Sequence, residues 1–172
     1  MTPRLEYFAA APKLMQAMLN LEKVATGSGL EPGLIGLVKM RASQINGCAF
    51  CLDMHSREAR RRGETEARLY LLNAWREAPH YTPRERVALA WTEALTLVDR
   101  SQAPDADYAA LAPHFTEAER VALSLVIVTI NGWNRLAIGF RSVPPLAPDT
   151  VPEAVPDTVP GAASRATPVA AA

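Results

Sequence analysis

No segment of this 172-residue chain alternates apolar and polar residues, and every strongly patterned stretch repeats at helical period. Thr82-Pro83-Arg84-Glu85 and Thr116-Glu117-Ala118-Glu119 both match a capping box, with threonine as N-cap and glutamate at the third helical position. Both continue Arg-Val-Ala-Leu. The first predicts a helix to about Arg100. The second predicts one to about Phe140, interrupted near Asn131-Gly132. Upstream, Pro12 suits a helix start, and Leu14, Met15, Met18, Leu21 and Ala25 follow at helical spacing, with a stop near Gly27 and Gly29. A further helix is expected from about Pro32 to Ile45, stopped by Asn46-Gly47. Another carries Cys48 to Gly63, with Arg60-Arg61-Arg62 complementing its C-terminal dipole, and one more spans about Glu64 to Arg76. The expectation is an all-α fold.

Residues 1–143 are enough for one helical domain with a real core. Half of the 14 prolines fall after Val143, where Pro148-Asp149-Thr150-Val151-Pro152 recurs as Pro156-Asp157-Thr158-Val159-Pro160. Proline removes a backbone donor, and few large apolar residues are present there, so residues 144–172 are expected to form a disordered tail. Lys plus Arg equals Asp plus Glu at 18 each, which argues against nucleic acid or an anionic membrane as partner. The longest apolar run, Val121 to Ile130, is too short to span a bilayer and is expected to be a buried helix. Met1-Thr2-Pro3-Arg4-Leu5-Glu6 does not resemble a secretory leader, so a reducing, cytoplasmic setting is expected. Ile45-Asn46-Gly47 is echoed by Ile130-Asn131-Gly132, either by coincidence or as the trace of a duplicated helical hairpin.

Both cysteines of the chain lie in Cys48-Ala49-Phe50-Cys51-Leu52-Asp53-Met54-His55. On a helix, positions 48, 51 and 55 share one face, so two thiols that can close a disulfide lie beside an imidazole that can move a proton. Asn46-Gly47 should put Cys48 at a helix N-terminus, where the dipole favours a thiolate. Cys51, one turn from His55, is the thiol whose proton the imidazole can take. Spacing alone does not choose between them. A zinc site would need a fourth ligand, and His80 and His114 stand alone in turn-like segments. Two buried structural cysteines are the plainest alternative. Trp75, Trp91 and Trp133 are expected in the core.

The run Leu34-Ile35-Gly36-Leu37-Val38-Lys39-Met40-Arg41-Ala42-Ser43-Gln44-Ile45-Asn46-Gly47, continued by the cysteine motif to His55, resembles the carboxymuconolactone decarboxylase superfamily in its alkylhydroperoxidase D-like branch. Ala90-Trp91-Thr92-Glu93-Ala94-Leu95-Thr96 and Asn131-Gly132-Trp133-Asn134-Arg135-Leu136 look like the same branch, so the resemblance covers about Leu5 to Val143. It implies a multi-helix bundle with the C-x-x-C at a helix N-terminus, assembled as a homo-oligomer, trimer or hexamer. It implies thiol-dependent reduction of a hydroperoxide without cofactor or metal, re-reduced by a lipoyl- or thioredoxin-type protein. Carried over, Cys51 is the peroxidatic thiol, Cys48 resolves, and His55 belongs to a proton relay.

The resemblance departs at Gly36, where the family relay has a glutamate twelve residues before the first cysteine. Three acids could substitute. Glu93 sits in an apolar helical setting and is assigned the role, against the alternative of a buried glutamate paired with an arginine. Glu58, one turn beyond His55, could orient the ring. Glu31 reads as an ordinary dipole-compensating acid. Two other functions stand beside peroxide reduction. One is a redox sensor or scaffold whose disulfide forms once. The other is lactone decarboxylation, which has no need of a dithiol.

Overall fold

A computed structural model describes residues 2–145, and the expected tail from residue 146 onward lies outside the described residues. Among those residues the elements are helices only: α1 (Tyr7–Ala10), α2 (Pro12–Thr26), α3 (Pro32–Asn46), α4 (Ala49–Arg61), α5 (Glu66–Leu71) with a 3-10 turn at Leu72–Ala74, α6 (Pro83–Thr96), α7 (Val98–Ser101), α8 (Asp105–Ala109) and α9 (Glu117–Phe140). The all-α expectation holds. Both capping boxes form with reciprocal bonds, Thr82 with Glu85 and Thr116 with Glu119. Each satisfies two backbone donors that a helix start would leave open.

α3 is the central element, packed against α4, α6 and α9. Leu34, Ile35 and Val38 join Ala88 and Trp91 of α6 and Leu123, Val126 and Ile127 of α9 in one core. Leu37 and Met40 face a second core with Leu69, Leu72, Trp75, Tyr81 and Leu89. A helix buried on several sides must be apolar round most of its circumference, as α3 is.

Several boundaries differ from expectation, each for a physical reason. α9 continues through Asn131-Gly132 without a break. Gly132 is there for close packing: a Cβ would stand 2.7 Å from Met18 Cε on α2. Gly47 does terminate α3, with φ +67°, a left-handed conformation that glycine tolerates. α6 stops at Thr96, and the chain re-forms as the separate α7 after Leu97, whose ψ of 36° leaves the helix. The segment expected to be helical to Arg76 is helical only to Leu71 before tightening into the 3-10 turn. The short helices α1 and α8 lacked a periodic signal.

On α2 the inward face carries Met15, Met18, Glu22 and Ala25, while Leu14 is 69% exposed and Leu21 is exposed too. The run Val121 to Ile130 is buried along one side only: Val121, Leu125 and Val128 face outward. α9 as a whole is long and apolar enough to cross a bilayer by length and composition, although the run that suggested its burial is short. Here it packs against α2, α3 and α6.

Candidate functional site

The junction between α3 and α4 places the dithiol. Asn46, in the last turn of α3, donates through Nδ2 to Asn131 Oδ1 at 2.9 Å and to Asn134 Oδ1 at 2.8 Å. Asn134 in turn donates to Ser43 Oγ at 3.1 Å. The two Asn-Gly echoes therefore meet across α3 and α9. The Cys48 amide donates back to Ser43 O at 3.1 Å, closing the end of α3 over the left-handed Gly47. Cys48 is the N-cap of α4, and its sulfur accepts from the Cys51 amide at 3.4 Å. The predicted helix-start position of Cys48 is thus observed. Cys48 and Cys51 are joined as a disulfide, with Cα atoms 5.4 Å apart.

Cys51 and His55 are buried, at 2% and 6% exposure, and both line a cavity of about 1290 Å³. Cys48 packs behind, against Ala137, and is absent from the lining. The outer wall is apolar and aromatic, with Tyr7, Phe8, Phe50, Met54 and Trp133. Trp133 is therefore a cavity residue rather than a core one, stacked on Phe8 of α1 with ring centroids 6.1 Å apart. Trp75 and Trp91 are buried as expected. His80 and His114 lie in turns outside the lining.

The lining also carries charged side chains. Glu58 Oε2 lies 3.3 Å from His55 Nδ1, the ring-orienting contact its spacing suggested. With Nδ1–H as donor, Nε2 is the nitrogen left with a lone pair. Burial holds the imidazole pKa below its ordinary value, and the Lys39 ammonium adds to that, while Glu58 and Glu22 act in the opposite direction. Burial would raise the Glu58 carboxyl, but the hydrogen bond with His55 and the charge of Arg62 outweigh it and hold it low. Lys39 and Glu22 form an ion pair on the same wall, and Gly36 lines it too.

Glu93 does not join this group. It sits on α6, outside the cavity lining, and its carboxylate accepts from Arg41 Nε at 2.8 Å, Trp75 Nε1 at 2.8 Å and Arg76 Nη1 at 2.5 Å. Burial is outweighed by these three donors, which hold its pKa low, as befits a structural anion rather than a base. Glu31 flanks the start of α3 and pairs with Arg84. The cavity residues that the sequence reading missed are Glu22, Lys39, Tyr7, Phe8 and Trp133. A signal for the first two was present: a carboxylate on the Met15–Met18–Ala25 stripe and an ammonium inside the apolar run of α3.

The profile of the carboxymuconolactone decarboxylase family matches residues 12–94, which include the whole dithiol motif. The uncharacterized protein YdfG of Bacillus subtilis is 43% identical over 138 residues, covering 80% of this chain and 94% of that protein. A crystal structure from Agrobacterium tumefaciens, of a protein of unknown function assigned provisionally to antioxidant defence as AhpD, is 44% identical. It superimposes with a TM-score of 0.83 over 85% of this chain and all of that one. The debrominase Bmp8, at 21% identity, shares the fold with a TM-score of 0.72 over 81% of this chain and 75% of its own.

Proposed function

The chain belongs to the carboxymuconolactone decarboxylase family, in its alkylhydroperoxidase D-like branch, and from that premise we propose that it reduces hydroperoxides with the Cys48–Cys51 dithiol. The observation that carries the proposal is the asymmetry of the pair: Cys51 faces the cavity beside His55, while Cys48 is stacked behind it.

In the reduced protein, His55 Nε2 takes the Cys51 proton and the electron pair stays on sulfur. The thiolate attacks the outer peroxide oxygen, the O–O bond breaks, and the alkoxide leaving group takes the proton back from the imidazolium. Cys51 is now a sulfenic acid and the peroxide an alcohol. The Cys48 thiol displaces the hydroxyl as water, forming the bond seen between the two sulfurs. An external dithiol, of lipoyl or thioredoxin type, then exchanges with the disulfide and leaves oxidised. The balance is hydroperoxide plus dithiol to alcohol, water and disulfide. The apolar wall favours an organic hydroperoxide over hydrogen peroxide.

The exposed apolar line of α9 supports assembly with further copies of the chain. A redox sensor is the second reading, favoured by the open space at Gly36 where the family relay has its acid. Consumption of an organic hydroperoxide by the purified protein with excess dithiol tests the proposal. Sustained turnover that disappears in Cys51→Ser supports it. A single stoichiometric oxidation supports the sensor.

A further inference from the structure

The ion pair between Glu22 and Lys39 lines the cavity, and the proposed peroxide reduction leaves it unused. Lys39 Nζ donates to Glu22 Oε1, with the two side chains only 11% and 18% exposed. Glu22 Oε2 is buried and has no hydrogen-bond partner among the described residues. A carboxylate oxygen withdrawn from water without a donor is unfavourable, so a positive charge appearing nearby is stabilised more than it would be at the surface. Gly36, one turn before Lys39 on α3, lines the same wall, and a Cβ there would meet nothing within 4 Å. The wall therefore holds a charge-bearing pair and an open volume next to it.

Three charged groups act on His55. Lys39 disfavours the imidazolium, and Glu58 and Glu22 favour it. Arg62 acts only through Glu58, to which it is bonded at 2.7 Å. The remaining charges on the lining cancel locally, since Arg68 holds Glu64 at 2.9 Å and also pairs with Glu85 at 2.6 Å. Glu58 divides its oxygens between His55 and Arg62 and is 41% exposed, so solvent screens it. Among the carboxylates of the lining, Glu22 is the one with a buried oxygen to spare.

We propose that Glu22, held by Lys39, is the positioning acid of the dithiol site, steadying the imidazolium that forms when His55 takes the Cys51 proton. The S–H bond breaks, the proton moves to Nε2, and the electron pair remains on sulfur. Glu22 exchanges no proton. The proposal rests on the peroxide-reducing reading for the proton's later delivery to the leaving group, though not for this first transfer.

The test uses the reduced Cys48→Ser protein, in which Cys51 is the single thiol, and follows its alkylation by iodoacetamide against pH. Lys39→Met is compared with Lys39→Met plus Glu22→Gln, so that the carboxylate is removed with the opposing ammonium already absent. Relative to Lys39→Met alone, the paired variant is expected to show a rise of roughly half to one pH unit in the midpoint of thiolate formation and a three- to ten-fold slower reaction at neutral pH. Adding Gly36→Glu to that background should restore the rate, because the new acid enters the same open wall. Equal alkylation of Lys39→Met and the paired variant, or no rescue by Gly36→Glu, overturns the proposal. If the paired variant does not fold, the carbon-13 carboxyl shift of Glu22 in the reduced parent decides. A shift that follows the His55 titration step upholds the proposal, and one indifferent to it overturns it. None of these readouts needs peroxide, so absence of turnover in the parent protein would count against the catalytic reading alone.

Discussion

His55 is pulled in two directions by named neighbours, and their signs set its pH behaviour. Burial and Lys39 disfavour the charged ring, so its folded pKa lies below the ordinary imidazole value and it stays a competent base under mildly acidic conditions. Glu58 works against that depression. Glu58→Gln removes a favourable partner of the imidazolium, so the ring should titrate at still lower pH. NMR titration of His55 in the oxidised protein is expected to show a midpoint below that of free imidazole, and a further fall in the variant. At this scale the dithiol and its histidine were legible because spacing on one helix fixes which side chains share a face. The acids were not, because their roles depend on pairing across elements. Glu93 looked anomalous on its own helix, and only the fold shows Arg41, Arg76 and Trp75 converging on it. Glu22 lies on an element remote in sequence from the cysteines, and α2 must pack on α9 before it can reach their cavity.

The helices place the site through the α3–α4 junction, and a polar cluster sets its register. Ser43, Asn46, Asn131 and Asn134 are tied together, and Asn134 is fully buried. Asn134→Ala would leave the Asn46 amide with Asn131 as its one remaining acceptor and take away the donor to the Ser43 hydroxyl oxygen, at a cost of about 1–3 kcal/mol, the penalty for unpaired buried polar groups. A lower urea midpoint with unchanged slope is the expected outcome, accompanied by weaker reactivity of Cys51 as the start of α4 loosens. Helix starts were easier to read than helix ends. A capping box is a local reciprocal contact, and both formed where the sequence put them. The same Asn-Gly dipeptide ends α3 and runs through the middle of α9. Its meaning depends on whether the glycine is needed for a positive φ, as at Gly47, or for the approach of Met18, as at Gly132. No window of sequence contains that distinction.

For the whole molecule, helical period alone gave the fold class, and the arrangement of α3 between two cores explains why its own sequence lacks a clear polar face. The outer line of α9 is the part that periodicity misjudged. Val121 and Val128, at 62% and 56% exposure, flank Leu125 on one side of the helix. Water contact over such a stripe is unfavourable unless another surface covers it. Sedimentation should give a mass that is a multiple of the 18.6 kDa chain, and Val121→Glu with Val128→Glu should reduce it towards the monomer. The outcome is specific to that face, since Val121, Leu125 and Val128 are not among the residues that line the cavity.

The two sulfurs are separated by three positions in the chain, and this bears on how the protein tolerates its own chemistry. A crosslink stabilises chiefly by shrinking the unfolded ensemble, and so small a ring restricts it by only about 2 kcal/mol, against nearly 5 for a ring of a hundred residues. Opening the bond therefore releases little chain entropy. On reduction the folded domain would lose only this modest contribution, so the bundle can persist through the making and breaking of the bond that the proposed reaction requires.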